Sequence, residues 1–124
     1  MTLAISGHLA DVAGGVARHG WIVQAIEGEG IRPYAHTVGL LGHGMPELLV
    51  TGLQSPAAAH LLNSIAPRWL AGEFRLGSTV AVVVGDAVRS ADVLLHAGGL
   101  AAVASALYGK EHTMVAELVW TRER

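Results

Sequence analysis

HTVGLLGHGMPELLVTG, residues 36–52, is the stretch that decides how this chain folds. Thr37 and Val38 are β-branched, Gly39, Gly42 and Gly44 form a Gly-rich loop, Pro46 and Glu47 close it, and Leu48–Val50 begin a second apolar run. β-branched and apolar runs punctuated by Gly and Pro read as strand, loop, strand. The expected strands are Tyr34–Leu40 and Glu47–Thr51, with Gly42–Pro46 between them. His36, His43 and Glu47 lie in this otherwise apolar segment, and no other part of the chain concentrates polar chemistry in this way.

Working outward, Trp21–Ile26 (WIVQAI) is a further strand, and EGEGIRP (residues 27–33) is the polar turn that makes it antiparallel to Tyr34–Leu40. Upstream, residues 6–18 read as a short helix capped by Ser6 and stopped at His19-Gly20. Downstream, Ser55-Pro56 opens a helix that places Ala58, Leu61, Leu62, Ile65 and Trp69 on one face. Pro67 should kink or end its last turn. Thr79–Val84 (TVAVVV) is continuous enough for a strand covered on both faces. After a Gly85-Asp86 turn, Ala87–Leu95 leans to strand, Gly98–Tyr108 to a helix of small residues, and Thr113–Trp120 to a final strand. The expected fold class is α+β: a strongly curved, mainly antiparallel sheet, open to a split-barrel-like closure, with two or three helices.

Composition bounds the function. A chain of 124 residues is one domain, since about 100–150 residues is the commonest domain size. With 52% hydrophobic and 15% charged residues it is not a disordered chain. A net charge of −2 and scattered basic residues argue against a nucleic-acid partner. Without cysteine, neither disulfides nor thiolate metal sites exist. Apolar runs stop short of the roughly 18–20 residues that span a bilayer. The N-terminal segment does not read as a signal peptide, so a cytoplasmic protein with no membrane partner is expected. So few charges on so small a domain point either to an apolar self-association face and a homodimer, or to an Ala- and Gly-rich composition whose small residues inflate the hydrophobic count.

At His19-Gly20-Trp21, His36–Leu40 (HTVGL), Pro46–Leu53 (PELLVTGL), Leu61-Leu62-Asn63, Tyr108-Gly109 and Leu118-Val119-Trp120 the chain resembles an uncharacterised bacterial family, domain of unknown function 4262. The resemblance runs over about residues 18–120. It implies a fold pattern and a site around the strand–loop–strand, but no reaction. Two departures stand out: His36 sits where the family usually has tyrosine, and the chain ends soon after Trp120.

Several chemistries compete for these residues. His19, Trp21, His36, Thr37, Gly39, His43 and Glu47 would line a small-molecule or cofactor pocket. Glu47, His36 and His43 are the general acid/base candidates if the domain is an enzyme. The same three offer a two-histidine, one-carboxylate site for a transition metal, although their spacing matches no standard metal motif. Trp21 and Trp120 could stack on a flavin, but large and sparse aromatics are more often core anchors. The Gly-rich loop is not followed by the Lys-Ser/Thr of a phosphate-binding loop. Glu47 has a plainer role as well. A Gly-rich loop leaves backbone N–H groups to satisfy, and a buried carboxylate can accept them. A protein-interaction or regulatory module, working through the loop and exposed apolar surface, is the non-enzymatic alternative.

Overall fold

The β-branched runs pair into one sheet. The computed structural model describes residues 20–28, 30–96 and 114–121. In chain order these form β1 (Ile22–Gly28), β2 (Ile31–Val38), a 3-10 turn (Leu40–His43), β3 (Glu47–Thr51), α1 (Ser55–Leu70), β4 (Thr79–Val84), β5 (Ala87–His96) and β6 (Val115–Trp120). The strand order across the sheet is β1-β2-β3-β6-β5-β4. Four neighbour pairs are antiparallel. The central pair, β3 with β6, is parallel, with Leu48 opposite Ala116 and Val50 opposite Leu118.

This corrects the expected fold class. The sheet is mixed and open: β1 and β4 each have a single neighbour, so no barrel closes among the described residues. One α-helix and one 3-10 turn are present there, rather than two or three helices around a strongly curved antiparallel sheet. Sequence-adjacent strands pair by default, and β1-β2-β3 and β4-β5-β6 do so. A parallel pair needs a long crossover, however, and the excursion through α1, β4 and β5 brings β6 back alongside β3. The helices expected over residues 6–18 and 98–108 lie outside the described residues.

α1 covers one face of the sheet. Ala58, Leu61, Leu62, Ile65, Ala66 and Trp69 are buried along one stripe of the helix, at the spacing that faces a core. They pack with Ala35, Leu48, Val50, Val80, Val93 and Leu118 from the strands. Each fully buried Leu or Ile here contributes about 1.5–3 kcal/mol. Pro67 does not end the helix, which runs on to Leu70. Ala71 still donates to the Pro67 carbonyl at 2.9 Å, although Pro67 itself has no N–H to give the preceding turn.

Two further expectations shift. The long polar turn at residues 27–33 contracts, because β1 runs to Gly28 and β2 starts at Ile31. β4 is covered on one face only: Val80 and Val82 are buried while Thr79, Ala81 and Val83 are exposed. Its TVAVVV sequence hides the alternation, because the exposed positions are β-formers too. The opposite sheet face is buried at its centre, where Val38, Leu49 and Val115 are fully covered. No helix among the described residues is long and apolar enough to cross a membrane.

Candidate functional site

Ile22 pairs with Val38, so the start of β1 lies beside the end of β2. The 3-10 turn leaves β2 there, and β3 returns from it. The motifs of the strand–loop–strand and Gly20-Trp21 therefore meet at one end of the sheet.

Glu47 is the centre of this end. Its side chain is fully buried. Oε1 accepts the Thr37 hydroxyl at 2.7 Å and the Leu40 N–H at 3.2 Å. Oε2 accepts the Gly39 N–H at 2.9 Å and the Leu41 N–H at 3.2 Å. Thr37 Oγ1 in turn accepts the Leu48 N–H at 2.9 Å, so its proton is committed to Glu47. Consecutive N–H groups at the start of a helical turn are orphan donors that favour an anion. Here the anion is the protein's own carboxylate. Gly39 opens the turn at φ 121°, a left-handed conformation that costs a side chain strain and glycine none.

Burial pushes the Glu47 carboxyl above its ordinary value, and the four hydrogen bonds from Thr37, Gly39, Leu41 and Leu40 pull it back. All four contacts are donors, so they favour the carboxylate, while burial favours the acid and is the larger effect. The indole N–H of Trp69 holds the Pro46 carbonyl at 2.9 Å, and the Glu47 N–H bonds the Met114 carbonyl at 2.8 Å. The loop is thus pinned from both sides.

His36 is buried on β2, and its Nδ1 lies 3.1 Å from the Thr37 carbonyl. A carbonyl only accepts, so Nδ1 carries the proton and the tautomer is set. Burial lowers its pKa, with the Thr37 hydrogen bond opposing. The neutral ring stacks against Tyr34 with centroids 6.5 Å apart.

Two polar side chains exposed at this end are His43 and Asn63. His43 Nε2 donates to the Gly20 carbonyl at 3.2 Å. The next residue, half-buried Trp21, donates its indole N–H to Asn63 Oδ1 on α1 at 3.3 Å. Gly20 has φ +90°, and a Cβ there would stand 3.4 Å from His43 Nε2, so glycine suits both the backbone and the contact.

Of the pocket candidates, Thr37, Gly39 and Glu47 form one hydrogen-bonded brace, Trp21 and His43 flank Gly20 at the surface, and His36 is enclosed. His19 lies outside the described residues. His36, His43 and Glu47 each bond different groups, and no three His, Asp or Glu side chains among the described residues are grouped to hold a metal. Trp120, at the far end of β6, has the Arg89 guanidinium 4.0 Å over its ring. Asn63 is the site residue that sequence reasoning missed. Its signal was an amide on the polar face of α1 within the Leu-Leu-Asn motif.

No curated protein and no solved structure is similar enough to this chain to match it. The sequence profile of domain of unknown function 4262 matches residues 15–124, which takes in every element described above. The chain belongs to the domain of unknown function 4262 family.

Proposed function

We propose that this domain binds a small molecule noncovalently at the end of the sheet where Gly20-Trp21 meets His43 and Asn63. One observation carries the reading: two exposed polar side chains are held by consecutive residues, His43 by the Gly20 carbonyl and Asn63 by the Trp21 indole, and keep hydrogen-bonding capacity to spare. Among the described residues, His43 Nδ1 and the Asn63 amide NH2 have no partner, and Trp21 adds half-buried aromatic surface beside them. Small-molecule sites join apolar or aromatic surface to a few fixed polar groups. Glu47 serves this site indirectly, by holding the turn that carries His43. If the site is catalytic, His43 is the residue placed to exchange protons with a ligand.

Native mass spectrometry of the purified chain, together with an NMR titration using small aromatic amides, tests the reading. A stoichiometric bound mass, or amide fragments that shift the Trp21 indole signal, should be lost in His43→Ala and Asn63→Ala at unchanged melting temperature. No bound mass and no fragment acting on Trp21, or binding that persists in both variants, would overturn it.

A further inference from the structure

Beyond that site, the other end of the sheet order has its own chemistry. β4 pairs only with β5 among the described residues. Ser90 gives its carbonyl to Thr121 on the β6 side, whereas Val93 bonds Gly77 and Ser78 on the β4 side. Backbone groups alternate in direction along an antiparallel strand. Ala91 and Arg89 therefore face β4, opposite Val80 and Val82. It follows that the N–H and C=O groups of Thr79, Ala81 and Val83 point out of the sheet. All three residues are exposed, Val83 by 56%. β4 contains no charge and no proline, two of the devices that blunt an edge strand.

One side chain sits on this edge. Arg68 Nη1 donates to the Ala81 carbonyl at 3.2 Å. The same guanidinium is held by Glu73 Oε2 at 2.8 Å and lies 5.9 Å over the Phe74 ring.

We propose that the β4 edge is a pairing surface for a second copy of this chain, and that Arg68 is the plug that holds it closed. Antiparallel pairing about Ala81 is self-complementary. It sets Thr79 against Val83 of the partner subunit and places no like charges opposite one another. The ends of the strand also match: exposed Arg75 precedes β4 and exposed Asp86 follows it, so an antiparallel copy brings opposite charges together at both ends. The exposed cross-strand pair of Val83 and Val88 lies beside the new seam. The plug is weak, because Arg68 and Glu73 are 42% and 53% exposed, and exposed ion pairs stabilise little. The chain is therefore a monomer when dilute and pairs through β4 as concentration rises.

Sedimentation analysis of the full chain over a wide concentration range tests this. Arg68→Ala should tighten dimerisation by about tenfold, the equivalent of roughly one net hydrogen bond. Ala81→Pro in the same background should abolish it, since proline removes an outward N–H and leaves the β4–β5 ladder intact. Should Arg68→Ala fail to fold, Arg68→Lys carries the test, because an ammonium lacks the fork that spans Ala81 and Glu73. A plug variant that stays monomeric at every concentration, or self-association that survives Ala81→Pro, would overturn the proposal.

Discussion

Replacing Glu47 with glutamine keeps the length and shape of the side chain and removes one acceptor. In the wild type each carboxylate oxygen accepts two donors: Thr37 and Leu40 on Oε1, Gly39 and Leu41 on Oε2. A glutamine has one accepting oxygen. Whichever way it turns, its NH2 faces two N–H or O–H donors, and those two lose their partner. Each buried donor left unpaired costs about 1–3 kcal/mol. Part of this is offset, because the charge itself is unfavourable in so buried a place, as the raised pKa indicates. The net expectation is about 2–4 kcal/mol, a large share of the roughly 5–15 kcal/mol that hold a domain together. In a chain of this size the melting temperature should fall by roughly 10 °C. Urea unfolding followed by tryptophan fluorescence measures it: the midpoint drops and the slope stays the same. Amide exchange at Gly39, Leu40 and Leu41 should accelerate first. The pH dependence carries a sign as well. Between the ordinary carboxyl value of 4.5 and its raised folded value, the folded state binds the extra proton, so Glu47 contributes stability that grows as pH falls through that window. Glu47→Gln lacks this term. A variant as stable as the wild type, with unchanged exchange at those three amides, would refute the account of Glu47 as the brace of the turn.

Other perturbations probe the same end of the sheet. Thr37→Val strands the Leu48 N–H and removes the shortest donor to Glu47, costing about 2–3 kcal/mol, and Thr37→Ser should restore most of it in the same unfolding assay. His36 titrates in the opposite sense to Glu47: its folded pKa lies below the ordinary 6.5, so its contribution is present above pH 6.5 and is lost as pH falls through the folded value. His36→Gln should flatten that acid-side fall in a series of thermal melts, and an unchanged slope would mean that the ring is not the group responsible. Gly20→Ala forces a side chain into a left-handed backbone at close range to His43, costing about 1–2 kcal/mol. It should also release the His43 imidazole, seen as a shift of its ring signals by NMR.

Local chemistry made much of this molecule legible. The bounds of β3 and β4 follow from β-branched runs cut by Pro46, Gly52, Ser78 and Gly85, and the buried stripe of α1 follows from helical spacing alone. These features depend on residues a few positions apart. The bracing role of Glu47 was legible too, because a Gly-rich loop must place its N–H groups somewhere. By contrast, the one-sided burial of β4 was concealed by valines on both faces. The meeting of Trp21 with Asn63 links positions 42 residues apart, and no local pattern announces it.

By itself the sequence determined the strands, the helix and the family, since propensity, period and turn chemistry act over short stretches of chain. Tertiary structure alone decided that β6 lies parallel to β3, that β4 is an edge strand under Arg68 among the described residues, and that His36, His43 and Glu47 do not converge on one group. Those outcomes depend on which distant segments bury each other's surfaces and satisfy each other's hydrogen bonds, and only the assembled sheet settles that competition.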